Sequence, residues 1–194
     1  TRGTAYSETR RSRNRESCRG SRSDRKGTCV ELRTDRIILR RARESDLAEA
    51  NAFMAHPAAM RYWSTPPHEN IEQTRSWLQA MTDAAEEFSD DFLIELEGRV
   101  IGEVGALPLP QFGFILHPDY WRCGFGFEAA SAAVRHIFET RAIESLVADV
   151  DPRNGVSISL LEKLGFRKTG QTQGALCVAG EWVDSAYYCL HRPP

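Results

Sequence analysis

From residue 36 onward, apolar positions follow two rhythms, alternating over short runs and recurring every three to four residues over longer ones. "RIILRRA" reads as a short strand. Asp46 and Glu49 read as a capping pair that opens a helix with Leu47, Ala50 and Phe53 on one face, and His56-Pro57 ends it. The loop "RYWSTPPHEN" leads to a second helix, capped by Asn70, with Ile71, Leu78 and Met81 inward. "DFLIEL" and "RVIGEVGAL" flank Glu97-Gly98 and predict a β-hairpin, and "QFGFIL" makes a fourth strand. After His117-Pro118 and a glycine loop, Phe127, Ala130, Val134, Ile137 and Phe138 fall at helical spacing. "SLVADV" lacks polar alternation, as expected of a strand covered on both faces in a parallel pairing. A short helix follows, with Asn154 as N-cap, Leu160, Leu161 and Leu164 inward and Gly165 as its stop. Strands around 166–171 and 185–190 close the chain. The order predicts a mixed sheet of six to seven strands flanked by about four helices.

Charge divides the chain in two. Residues 1–28 carry eight Arg and one Lys against Glu8, Glu16 and Asp24, a balance of +6 inside a chain whose net charge is −2. With almost no apolar residue and no period, that segment is expected to be a disordered basic tail, and 29–194 a single domain. Such a tail is suited to nucleic acid, a ribosome or an acidic membrane, and Arg/Ser richness also fits a transit peptide, although no amphipathic face supports targeting. No apolar run approaches a membrane span. The five cysteines, Cys18, Cys29, Cys123, Cys177 and Cys189, are odd in number and form no C-x-x-C pair, so reduced thiols and a cytoplasmic location are expected. No metal site is expected.

The segment "YWRCGFGFEAASAAV" places two glycines one residue apart at the mouth of a helix. Open N–H groups and the positive end of a helix dipole converge at such a point, which suits phosphate. Of two other phosphate patterns, the dinucleotide fingerprint is met only in part, since Ala129 stands at its third glycine, and the P-loop pattern fails because no Gly-Lys-Ser/Thr follows.

"YWRCGFGFEA" resembles the acetyl-CoA loop of the GNAT acyltransferases, in particular the RimJ/RimL-like branch that acetylates ribosomal-protein N-termini. "DPRNGVSISLLEKLGF" is similar to a second segment of that family, and the likeness runs from about Leu32 to the C-terminus. The resemblance implies the GNAT fold, with the fourth and fifth strands splayed apart, and acetyl-CoA as cosubstrate. It implies a pyrophosphate held by amides of Cys123, Gly124, Phe125, Gly126 and Phe127, and pantetheine lying along the fourth strand like an added strand. Amides near Ile115 and Leu116 would polarise the thioester carbonyl. Direct attack by a primary amine, either a protein N-terminus or a small amine, would complete the transfer.

Three departures from the family pattern shape the candidate chemistry. Trp121 stands at the usual Gln/Arg position and Arg122 follows it, so Arg122 is the candidate phosphate contact. Leu161 replaces the tyrosine acid, leaving Ser157 either as donor to the CoA sulfur or as a partner for a local amide. Asn154 is an N-cap, and by resemblance also a pantetheine contact. Gln111 replaces a common acid, which leaves Glu103 as candidate base, although an α-amine of pKa about 8 needs little help. Acceptor recognition falls to Tyr62, Trp63, Ser64 and His68 in one proline-bounded loop, and to Trp182 and Asp184 in another. A non-catalytic acyl-CoA sensor and a nucleic-acid-associated protein are the competing readings; a monomer or a homodimer fits either.

Overall fold

The structure is a computed structural model that describes residues 30–85 and 87–193. The expected basic tail lies outside the described residues. The chain order is β1 (Glu31–Arg33), β2 (Ile38–Arg40), α1 (Leu47–Met54), α2 (Ile71–Asp83), β3 (Asp90–Leu96), β4 (Arg99–Ala106), β5 (Phe112–Leu116), α3 (Phe125–Thr140), β6 (Ser145–Val150), α4 (Gly155–Lys163), β7 (Arg167–Val178) and β8 (Glu181–His191). The described residues form eight strands where six to seven were expected, because Glu31–Arg33, with a single apolar residue, pairs as an extra strand against β2.

Strands β1 to β5 form an antiparallel sheet in chain order, and β6, β8 and β7 form a second one. A single parallel bridge, Gln111 with Val147, joins them. "SLVADV" is thus parallel to its neighbour at one point only; its ladder is antiparallel, with β8. Beyond the bridge β5 and β6 diverge, which is the splay expected between the fourth and fifth strands read from the sequence.

Two apolar clusters cover the first sheet. Phe92, Ile94, Ile101, Val104 and Phe112 face α3, whose Ala129, Ala130 and Ala133 are fully buried. Leu93, Val100 and Ile115 face α1 and α2, against Phe53, Met54 and Leu78. Small alanines let α3 lie close to the sheet; that proximity brings its N-terminus to the end of β5.

Local signals explain most elements. Glu97 and Gly98, both at positive φ (49° and 79°), make the tight β3–β4 turn. Asn70 caps α2 through its Oδ1. Asp46 and Glu49, however, do not cap α1: Asp46 accepts two hydrogen bonds from the Arg40 guanidinium, and Glu49 accepts the Val100 amide. Ile71 is exposed rather than inward. The last two strands are longer than expected because Ala179-Gly180 turns a hairpin through φ values of 49° and 87°.

Candidate functional site

The splay leaves one edge of β5 open, and hydrogen bonds decide which amides face it. Pro110 O accepts from Val147 N–H across the bridge, and Leu116 O accepts from the Trp121 indole (2.8 Å), so even-numbered residues point toward the gap. His117 N–H donates to Ile101 O, so odd-numbered ones point into the β4 ladder. Of the two residues expected to supply amides, Leu116 faces the gap and Ile115 faces Glu103 in the ladder. Phe114, which the sequence reading passed over, is the second residue on the open edge.

At the end of that edge Trp121 to Gly124 turn the chain into α3. Arg122 adopts φ 61° and Gly124 φ 84°. The first intrahelical bond is donated by Glu128 N–H to Gly124 O, and no side chain among the described residues caps the helix. The amides of Phe125, Gly126 and Phe127 therefore have no acceptor among the described residues. The two glycines have different reasons. Gly124 holds a conformation that side chains disfavour, whereas a Cβ at Gly126 would come within 3.2 Å of Leu160 in α4.

A clamp missed by the sequence reading fixes this loop. The Arg36 guanidinium donates to Glu128 (2.7 Å) and to Cys123 O (2.9 Å), and lies 4.5 Å over the Phe125 ring. Burial alone would raise the Glu128 carboxyl, but hydrogen bonds from Thr34 and Arg36 hold it below the ordinary carboxylate range. The charge of Glu128 at the helix start is thus already matched, and the open amides remain available to an anion from outside. Arg122 is exposed and makes no ion pair among the described residues. The Cys123 thiol, also exposed, reaches only Trp121 O, at 3.4 Å.

On the α1–α2 face of the same sheet a cleft of about 520 Å³ opens. Tyr62, Trp63, Ser64 and Trp77 roof it, Asp149, Asp151 and Arg153 form one wall, and Asp184 comes from β8. Its floor is bare backbone. Gly105 pairs with Asp91 on one side and Gly113 on the other. A Cβ at Gly105 would sit 2.2 Å from Asp90 O, so only glycine fits; one at Gly113 would meet nothing within 4 Å and would project into the cleft.

Glu103 and Asp91, diagonal neighbours on this floor, are 7% and 6% exposed. Burial pushes the Glu103 carboxyl well above its usual range and the charge of Asp91 pushes it further; Asp91 is itself raised, chiefly by burial. Two carboxyl groups buried side by side are costly to keep charged together. Asp91 Oδ1 finds no hydrogen-bond partner among the described residues. A charged strand residue is most often solvent-facing; Glu103 is instead buried at the floor of the cleft.

Other expected residues scatter. Asn154 caps α4 by accepting the Ser157 amide (3.1 Å), and the Ser157 hydroxyl has no hydrogen-bond partner among the described residues. His68 lies off the cleft, bonded through its ring to Thr74 Oγ1 (2.8 Å) and through its amide to Met54 O, where it ties the loop to the helices. Trp182 is exposed on the hairpin and does not line the cleft. Among the described residues no cluster of three or more His, Cys, Asp or Glu could hold a metal ion, and no helix is long and apolar enough to cross a membrane.

These features have counterparts in known proteins. The uncharacterised N-acetyltransferase YoaA of Bacillus subtilis is 29% identical over 172 residues, 84% of this chain and 97% of that protein. The ribosomal protein uS5-alanine N-acetyltransferase of Escherichia coli is 28% identical over 181 residues, 84% of this chain and 92% of that one. Among solved structures, the ribosomal-protein acetyltransferase RimL in complex with coenzyme A superposes with a TM-score of 0.72 at 18% identity, covering 84% of this chain and 98% of RimL. The family described as the acetyltransferase (GNAT) domain matches residues 36–167. The chain belongs to the GNAT family and is an acetyl-CoA-dependent acetyltransferase.

Proposed function

We propose that the chain carries the acetyl group of acetyl-CoA to a primary amine in a ternary complex, with no covalent enzyme intermediate. The observation that carries this reading is the meeting of two half-sites at β5, where an open-amide groove and an acidic cleft share Gly113 and its neighbours. The groove fits the cosubstrate. Amides of Phe125, Gly126 and Phe127 receive the pyrophosphate, Arg122 lies near enough along the loop to add a charge, and Phe114 and Leu116 offer N–H groups to pantetheine and to the thioester oxygen.

Proton handling falls to side chains of this chain. The acceptor arrives as an ammonium and must lose a proton to expose its lone pair. Glu103, paired with Asp91, takes that proton, directly or through one water; its raised affinity brings it closer to the amine it must serve. Nitrogen then bonds to the carbonyl carbon, the carbon–sulfur bond breaks, the second proton shed by the nitrogen passes by way of the unpaired Ser157 hydroxyl to the leaving thiolate, and Glu103 returns the first to solvent. Tyr62, Trp63, Ser64 and Asp184 hold the acceptor. His68 and Trp182 have no such role. The likeness to ribosomal-protein acetyltransferases keeps protein N-termini among the admissible acceptors.

Calorimetric titration with acetyl-CoA, beside a Gly124→Arg variant, tests the groove. Binding by the parent and loss in the variant support it, and CoA release on adding amines then tests transfer. Binding without release from any amine would favour a sensor.

A further inference from the structure

We infer that the cleft is built for an acceptor with two positive charges, a primary amine whose second cationic centre lies a few bonds from the one acetylated. This inference rests on the acetyl-transfer reading and names its substrate class. Six carboxyl side chains line the cleft, namely Asp91, Glu103, Asp149, Asp151, Glu181 and Asp184, against the guanidiniums of Arg61 and Arg153. That leaves four negative charges, or three if the buried pair keeps a proton.

The pairing is uneven. Arg153 is taken by Asp151 (2.6 Å) and Glu181 (3.1 Å). Asp184 accepts only the Gly174 amide (2.9 Å), and Asp149 has no ion-pair partner among the described residues. The wall therefore holds two carboxylates free of cations. Deeper in, Asp91 Oδ1 is buried with no hydrogen-bond partner among the described residues, at the floor of the same cleft. An unmet buried carboxylate oxygen is costly, and a donor supplied by the ligand removes that cost.

Charge is therefore wanted at two depths: near Asp91 and Glu103, where the reacting nitrogen gives up its proton, and at Asp149 and Asp184, where nothing is transferred. Trp63 and Trp77 add ring surface that favours a cation, whereas the Tyr62 ring is already met by Arg61 and Arg153. A peptide N-terminus fits less well, since it brings one charge followed by carbonyl oxygens that carboxylates repel. The volume suits a small molecule of this kind.

The test compares 1,4-diaminobutane and spermidine with 1-aminobutane and an alanine-led tetrapeptide, reading CoA release. Expected is a kcat/KM about tenfold or more above that of 1-aminobutane for the diamines, falling as salt is added, with the ratio collapsing toward one in an Asp149→Asn/Asp184→Asn variant. A ratio near one in the parent, or preference for the peptide, overturns the inference while leaving acetyl transfer intact. If no amine releases CoA, the transfer reading fails, and titration of 1,4-diaminobutane against 1-aminobutane into the same protein still decides. Selective diamine binding then upholds the cleft assignment, and equal or absent binding overturns it.

Discussion

The groove between β5 and β6 presents main chain: amides at the start of α3 and along one strand edge, clamped from behind by Arg36 and Glu128. On the other side of Gly113 the cleft presents side chains, gathered from β3, β4, β6, β8 and the 60–67 loop. In the proposed reaction each receives one of the two substrates. A backbone site is fixed by fold and needs only that side chains stay out of the way, so it suits a ligand that never changes. A side-chain site can be rewritten one residue at a time, which suits a ligand that sets one enzyme apart from its relatives.

Glu103→Gln bears on that division most strongly. Loss of the proton acceptor is expected to cut kcat/KM by roughly a hundredfold or more and to remove the acidic limb of the pH profile, while acetyl-CoA affinity holds. Stability moves the other way. The native Glu103 carboxyl keeps its proton to higher pH than the unfolded one, whose ordinary value is 4.5. Between those values the native state binds more protons, so parent stability declines as pH rises through the window. The variant escapes that decline, and denaturant midpoints should favour it increasingly above pH 4.5. A variant both active and less stable at pH 8 contradicts the assignment of this carboxyl.

Gly113→Val comes next. No protein atom obstructs the new side chain, so the fold should persist while acceptor turnover drops by about a hundredfold and acetyl-CoA binding stays within a few-fold. Equal loss of both would show that the two half-sites are not separable at this residue. Smallest is Arg36→Ala, which releases Glu128 at the α3 start and exposes the amides to an unmatched negative charge. Acetyl-CoA affinity should weaken about five- to tenfold in a titration, with unchanged preference among acceptors.

The same contrast governs what could be read from sequence. Two glycines at spacing two, followed by an alanine-rich helix, announced the groove because backbone exposure requires particular residues at consecutive positions. Strand alternation placed β3 to β5 for a similar reason. It could not say which of Phe114 and Ile115 faces the gap, since that depends on which side β4 lies. Asp91 was hidden by distance in sequence from Glu103, although two acids heading an apolar strand in "SDDFLIEL" were a visible oddity. Arg36 and Arg153 looked like any surface arginine until their partners, 92 and 28 residues away, were in place. His68 and Trp182 erred in the opposite direction, as residues whose chemistry suits a site but which the fold holds away from it, His68 bonded to Thr74 and Trp182 exposed on the hairpin.

Trp121 supplies one more consequence. Its indole is hydrogen-bonded to the open end of β5 yet half exposed, at the entrance to the groove, while Trp63 and Trp77 line the other cleft. The molecule thus carries a fluorophore at each door. Replacing Trp121 by Phe, or Trp63 by Phe, would assign emission changes to one ligand or the other, so the order in which the two substrates enter could be followed without a label.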